Sequence, residues 1–320
     1  MRHASSRRSF LKTASLLPLC AAASGGLAGT ARALAEPPAR PAAGAKLKLS
    51  LNAFCFNDLL LNGTHGKQPA MSLFDALEFC VRHDFDAIDP TGYYFPGYPA
   101  VPSDEFINDF KRRAFRLGLD ISGTGIRNDF ATPDAEKRAA DVRLAKAWIE
   151  VAAKLGAPVI RVFAGAVPKG FEDKWDEAAR WMIEALRECA EHGKKFGVLV
   201  GVQNHGDMLR NADQVLAVVK QVESDWFGVI VDTGNMMVPD PYADIARVVP
   251  HAVNWQIKES PRGADSPERT DLPRLIRVIR DGGYRGYIPI ETLSARGRPY
   301  DPFAIVPAFA AEVRAALAAT

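Results

Sequence analysis

Short apolar runs and longer amphipathic stretches alternate along this chain from residue 47 to its end. The runs lie at 47–54, 86–90, 119–124, 158–163, 197–203, 226–232, 252–257 and 287–291. Each is too short for a helix and most are rich in Val and Ile, which predicts buried strands. The stretches between them, near 71–83, 103–117, 133–156, 173–195, 210–223, 241–249, 271–282 and 301–318, repeat their apolar positions at helical spacing. Strand followed by helix, repeated to the end of the chain, predicts a parallel sheet covered by helices. Eight such units in about 270 residues predict closure into a single-domain (β/α)8 TIM barrel. The rival is an open doubly wound sheet, which wants a glycine-rich phosphate turn after its first strand. Here that turn reads CFNDLLLNGTHG, with no GxGxxG. Helix ends are marked as well: Pro133 and Pro302 sit near helix starts, and Gly156, Gly193, Gly197 and Gly282 fall at or just past helix ends.

The first 46 residues break this pattern. Ser6 to Lys12 read SRRSFLK, an apolar Leu/Ala-rich stretch follows from Thr13 to about Thr30, and Ala33-Leu34-Ala35 offers small residues for cleavage. That order of charge, apolar run and small residues resembles a twin-arginine export signal over residues 1–35. It predicts contact with the twin-arginine export machinery and a periplasmic or otherwise exported location. The stretch is Gly/Ala-rich and ends in a cleavage site, so no stable membrane anchor is expected. Residues 36–46, rich in Pro, Ala and Gly, read as a linker before the barrel at 47–320. Cys55, Cys80 and Cys189 are odd in number and lie in apolar surroundings without a CxxC pair, which predicts buried free thiols. The net charge of +2 and the absence of a basic stripe give no support for nucleic-acid binding. A homo-oligomer is compatible with the sequence, which does not specify one.

Active sites of such barrels lie at the C-terminal ends of the strands. The second strand ends in Asp89, with Tyr93, Tyr94 and Phe95 beyond it. The third ends near Thr124, before Arg127, and the fourth carries Arg161. The fifth ends in Gln203-Asn204-His205, the sixth in Asp232, the seventh in Gln256-Ile257-Lys258 and the eighth in Glu291. Polar groups at the ends of apolar strands are costly to bury alone, so their recurrence at one end predicts a shared polar centre. Alternation along a strand points Gln203 and His205 one way, and Gln256 and Lys258 likewise. Asp232 and Glu291 are hard oxygen donors, and amide oxygens can complete such a shell around Mg²⁺ or Mn²⁺.

The motifs VGVQNHGD, VDTGNM, NWQIKE and IPIETL resemble the last four strand ends of the xylose-isomerase-like sugar isomerase/epimerase superfamily. The resemblance implies an enzyme acting on a small sugar. It also implies one divalent ion held at the positions of Gln203, Asp232, Gln256 and Glu291. Two of those positions depart from the family pattern, with Gln203 in place of a glutamate and Gln256 in place of a histidine. The two-carboxylate acid–base pair that the resemblance implies for an epimerase is therefore reduced to Glu291. His205 and Lys258 remain as further proton carriers, and Lys258 also as a stabiliser of an oxyanion.

One base and one electrophile suit a metal-assisted sugar isomerase/epimerase-type enzyme, with a lyase or hydrolase of 3-keto-glycosides on the same site as the alternative. In each, a proton leaves the carbon next to a carbonyl. Export points to an unphosphorylated sugar or oxidised glycoside. A sugar-binding barrel without chemistry is the second reading. Asp89, Arg161, Asn204 and Tyr93 are the candidate substrate contacts, although Arg161 can equally pair internally with Asp89. Glu291 can serve the reaction or only bridge to Lys258, and Asp232 can bind an ion or only cap the turn that follows it.

Overall fold

The computed structural model describes residues 46–60, 69–206 and 208–320. The expected signal peptide, and all but the last residue of the linker, lie outside the described residues. From residue 47 onward the expected alternation is present: β1 (Leu47–Asn52), α1 (Leu73–Arg82), β2 (Ala87–Asp89), α2 (Asp104–Arg116), β3 (Asp120–Ile121), β4 (Thr124–Gly125), α3 (Ala135–Leu155), β5 (Val159–Phe163), α4 (Trp175–Phe196), β6 (Leu199–Gln203), α5 (Ala212–Val222), β7 (Phe227–Asp232), α6 (Pro241–Val248), β8 (Ala252–Gln256), α7 (Leu272–Asp281), β9 (Gly286–Ile290) and α8 (Pro302–Ala319).

All strand pairs are parallel, in the orders β3-β2-β1-β9 and β4-β5-β6-β7-β8. Two single bridges, Ile257 to Ile290 and Thr91 to Gly125, join these two arcs into a (β/α)8 barrel. The third barrel position is one strand broken into β3 and β4, where the sequence predicts an unbroken run. The break at Ser122-Gly123 has a physical cause inside the barrel. The Asn254 side-chain amide donates to the Ser122 carbonyl at 3.2 Å, and a Cβ on Gly123 would stand 2.9 Å from that amide nitrogen and 3.1 Å from Asp89 Oδ2. Only a glycine lets the backbone pass so close. β1 is also shorter than expected. The Asn52 side chain accepts from the Phe54 N–H at 2.9 Å and turns the chain into a short 3₁₀ helix, Ala53–Phe56.

The strands are buried on both faces, one toward the helices and one toward the barrel interior. In β6, Val200 and Val202 are fully buried, whereas Gly201 shares the opposite face with Gln203. A Cβ on Gly201 would come 2.5 Å from Ile230 Cδ1, so the glycine leaves room for Ile230 to fill the barrel interior. Among the described residues, five α-helices carry an Asp or Asn N-cap whose side chain accepts a backbone N–H of the first turn, as Asp134 does for α3 and Asn211 for α5. The thiols of Cys55, Cys80 and Cys189 are buried and free. Among the described residues, α8 is the one helix long and apolar enough to cross a membrane, with a mean hydropathy of 1.4. Here it covers the barrel, with Val306, Phe309, Ala310 and Val313 buried.

The loop after β2 is fixed from outside by Trp148 of α3. Its indole N–H donates to the Pro99 carbonyl at 3.0 Å, and its ring lies 5.5 Å from both Phe95 and Tyr98. Gly92 packs so closely that a Cβ there would stand 2.9 Å from the indole ring. Trp148→Ala is expected to cost about 3–5 kcal/mol, read as a fall in the denaturation midpoint. An unchanged midpoint would show that the loop does not depend on this brace.

Candidate active site

Five of the expected residues meet at the C-terminal mouth of the barrel. Gln203 ends β6, Asp232 ends β7, Gln256 ends β8, Lys258 lies two residues past it and Glu291 directly follows β9. All five are buried. The Gln203 amide nitrogen donates to Asp232 Oδ2 at 2.6 Å and to Gln256 Oε1 at 2.7 Å. Lys258 Nζ stands 2.6 Å from Glu291 Oε1 and 3.5 Å from Asp232 Oδ2. Asp232 Oδ1 accepts the Gly234 N–H at 2.9 Å, so Asp232 caps its own turn while its Oδ2 faces Gln203 and Lys258.

The backbone around these groups is bonded on both sides. The Thr233 hydroxyl accepts the Lys258 N–H at 2.8 Å, and the Thr270 hydroxyl donates to the Lys258 carbonyl at 2.8 Å. One ammonium shared between two buried carboxylates cannot neutralise both. Burial pushes the Glu291 carboxyl above the ordinary glutamate range against the pull of Lys258, and Asp232 pushes it the same way. Burial alone would lower the Lys258 pKa, yet Asp232 and Glu291 outweigh it and hold the ammonium above the ordinary lysine value.

Above the cluster opens a cavity of about 750 Å³, whose lining includes Gln203, Gln256, Lys258 and Glu291. Tyr93 and Arg161 line the same cavity, as the sequence suggests. Arg161 does not pair with Asp89. Its guanidinium donates to the Ile126 carbonyl at 2.8 Å and the Tyr93 hydroxyl at 3.1 Å, over the Phe163 ring at 4.0 Å. Tyr94 and Phe95 pack into the wall and are buried. His205 lines the cavity from its rim, exposed, with its ring 4.9 Å from that of Phe163.

Two expected substrate contacts are corrected. Asn204 is fully buried, its amide donates to the Asp232 carbonyl at 2.9 Å and its oxygen accepts the Asp232 N–H at 2.7 Å. Both ends of the side chain are spent on fixing the Asp232 backbone, so Asn204 positions a site residue and does not line the cavity. Asp89 is not among the cavity-lining residues. It sits inside the barrel beside Asn254, whose amide nitrogen lies 3.5 Å from Asp89 Oδ2. Burial, against an opposing pull from Arg161, pushes its carboxyl up to about 7.

Other lining residues escaped the sequence reading. Asn52, 2% exposed, closes the cavity from the end of β1; in the sequence it sits inside the run LKLSLNAF, where Lys48 and Ser50 are polar too, so nothing there sets it apart. Ser260, Glu268 and Arg269 come from the loop after β8, whose irregular sequence carries no signal of which side chains turn inward, whereas Glu259, also in the lining, stands at the strand end the sequence marks.

A divalent ion on Gln203, Asp232, Gln256 and Glu291 does not fit these side chains as they stand. Such an ion needs oxygen lone pairs at about 2.0–2.6 Å. Both Asp232 oxygens already accept hydrogen bonds. Gln203 presents its NH₂ to Asp232, because the reversed amide would set two oxygens 2.6 Å apart. The ammonium of Lys258 stands against Glu291 where the ion would have to be. Among the described residues no group of three or more His, Cys, Asp or Glu is placed to hold a metal.

The sequence profile described as xylose isomerase-like TIM barrel matches residues 77–313. The chain belongs to this family. Among solved structures, a D-psicose 3-epimerase with D-tagatose from Clostridium cellulolyticum H10 superposes with a TM-score of 0.66 at 18% identity, over 84% of this chain and 96% of that one. A 3-keto-D-glucoside 4-epimerase from E. coli gives 0.62 at 15% identity, over 85% and 98%. A xylose isomerase-like TIM barrel protein from Mycobacterium smegmatis in complex with magnesium gives 0.61 at 22%, over 86% and 99%. No curated protein matches the chain by sequence. Sugar epimerases are thus among the structural neighbours of this xylose isomerase-like barrel.

The buried Asp89 sets a pH dependence of stability. Its folded-state value of about 7 lies above the unfolded value, so the folded chain keeps a proton that the unfolded chain releases. Its stability contribution is full below the unfolded pKa and is lost as pH rises toward 7, by up to about 1.4 kcal/mol per pH unit. Asp89→Asn is expected to remove this slope in melting temperatures taken from pH 5 to pH 8. A variant with the wild-type slope would show that Asp89 is ionised throughout.

Proposed function

We propose that this chain is an enzyme that removes a proton from the carbon next to the carbonyl of an unphosphorylated sugar or oxidised glycoside. The observation that carries the reading is the buried Lys258–Glu291 pair, 2.6 Å apart, at the floor of a cavity large enough for a small glycoside. Tyr93, Phe54, Phe163 and Tyr300 line that cavity and supply aromatic faces for a sugar ring. Membership of the xylose isomerase-like family and the sugar epimerases among the structural neighbours agree with a sugar substrate.

In the proposed reaction a Glu291 oxygen accepts the proton. The C–H electron pair forms a new C=C bond, and the carbonyl pair moves onto oxygen as an oxyanion. The Lys258 ammonium donates a hydrogen bond to that oxygen, which stabilises the charge as it develops in a water-poor site. Transfer of the hydroxyl proton of the deprotonated carbon to the oxyanion, with return of the abstracted proton from Glu291 to the former carbonyl carbon, gives an isomer whose carbonyl has moved by one carbon. Departure of a group β to the carbonyl, with collapse of the oxyanion, gives a lyase product. His205, at the rim, is the second group able to carry a proton. Gln203 cannot act as a base, which favours this one-carboxylate chemistry over epimerisation between two carboxylates. The donor set does not fit a divalent ion, so no step depends on one.

Export by the twin-arginine route to the periplasm is part of the same proposal. It is supported by SRRSFLK, the apolar stretch and Ala33-Leu34-Ala35, and it agrees with a substrate lacking phosphate.

Incubation with plain and 3-oxidised glycosides in deuterated water, followed by NMR, tests the reading. Deuterium is expected beside the carbonyl, and Glu291→Gln should slow the exchange by about 10²–10⁴-fold. Lack of exchange in every sugar class would overturn the proposal. Glu291 must be ionised to accept a proton, so the rate should fall on the acid side with a midpoint above ~4.3, the unperturbed glutamate value. The raised Lys258 pKa predicts no alkaline loss below the ordinary lysine range.

A further inference from the structure

We infer that the Lys258 ammonium is the resident cation of this site, held between Glu291 and Asp232 in the space a divalent ion would need, and that it excludes such an ion. For its part in the reaction this inference rests on the function proposed above; for its place in the structure it does not.

Several independent features are built around this one side chain. Its nitrogen contacts a carboxylate of β7 and one following β9, while its own stem leaves the chain just past β8, so three neighbouring barrel positions converge on it. Its backbone is held at both the N–H and the carbonyl by the hydroxyls of Thr233 and Thr270. Gly234 lies against its stem, and a Cβ at Gly234 would stand 2.9 Å from Lys258 Cγ and 3.2 Å from the Ser260 carbonyl. A side chain at position 234 would therefore push the stem out of its channel. Gln203 completes the arrangement from the fourth side. Its NH₂ faces Asp232 Oδ2, the same oxygen that faces Lys258. That carboxylate oxygen thus faces an amide hydrogen and an ammonium, and an ion would have to compete with both for it.

The chemistry differs from that of an ion. An ammonium cannot bind two substrate oxygens by coordination, but it offers three directed donors and cannot be removed by a chelator. With one donor toward Glu291 and another toward Asp232, it has one left for a carbonyl oxygen in the cavity it lines.

Metal binding, read without substrate, tests the inference. Chelator-treated wild type, Lys258→Met and Lys258→Gln are titrated with Mn²⁺ by calorimetry and by the paramagnetic resonance signal of the free ion. The wild type is expected to show no one-to-one site up to ~1 mM, the weak end of protein cation sites. Lys258→Met should gain a site at least about 10-fold tighter, since the two carboxylates lose their internal cation. Lys258→Gln, which keeps a donor for Glu291, takes its place if Lys258→Met fails to fold by circular dichroism. A wild-type chain that takes up one Mn²⁺ below ~1 mM overturns the inference. So does a folded variant that binds no more tightly than wild type. Neither readout involves a sugar, so a failed exchange assay and a failed metal titration are separate results.

Discussion

One buried ammonium between two buried carboxylates constrains the whole mouth of this barrel. Charges removed from water are tolerable only when they are paired and hydrogen-bonded, and loss of one partner leaves the other stranded. Lys258, Asp232 and Glu291 therefore have to be delivered together by separate strands. The β8–β9 contact that does this is a thin one, a single bridge in which the Ile257 N–H donates to the Pro289 carbonyl at 2.8 Å and the Glu291 N–H to the Ile257 carbonyl at 2.9 Å. The Lys258–Glu291 ion pair lies directly beside that bridge. Closure of the barrel and formation of the reactive pair are one structural event.

The opposite seam is built the same way. Thr91 bridges to Gly125, and the Thr124 hydroxyl donates to the Pro90 carbonyl at 2.8 Å. Tyr93 follows this seam on one side and Arg161 lies across it on the other, and the two are joined by a hydrogen bond. A Cβ on Gly125 would stand 2.7 Å from Arg161 Nε, so the close approach of the guanidinium depends on glycine at this seam. The cavity thus spans two places where the hydrogen-bond ladder is weakest and side chains carry the connection. Such places are where polar side chains can face inward without leaving a ladder unsatisfied, and one function for them is to hold a polar ligand.

The order of elements was legible because strand and helix leave different periods in the sequence, and the polar strand ends were legible because Gln, Asp and Glu recur where apolar strands stop, a costly place to bury them without partners. The strand-end reading brought Gln203, Asp232, Gln256, Lys258 and Glu291 together. Asn204 was misplaced for a reason the same rule contains: if Gln203 and His205 share a face, the residue between them takes the other. Its amide suggested a substrate contact, while its position made it the clamp on the Asp232 backbone. Asp89 was misread because its neighbour Asn254 reaches it by packing across the barrel interior, which no linear pattern encodes. The break in the third strand has the same origin. The residues of the β8–α7 loop were silent because irregular backbone has no period from which to infer direction.

Charge balance explains how the two glutamine positions are compatible with an intact site. The arrangement implied by the resemblance sets three carboxylates and a neutral histidine around a doubly charged ion, leaving one negative charge in excess. Here Gln203 removes one carboxylate and Gln256 stays neutral, so Asp232 and Glu291 remain opposite the single charge of Lys258, again with one negative charge in excess. Loss of a carboxylate and replacement of a divalent ion by an ammonium offset each other in net charge, although neither alone would. An ion added to the present site would face two carboxylates and an ammonium, and the repulsion between the two cations in a low-dielectric pocket opposes its entry. The glutamines are then not damage to a metal centre but the changes that make an internal cation sufficient.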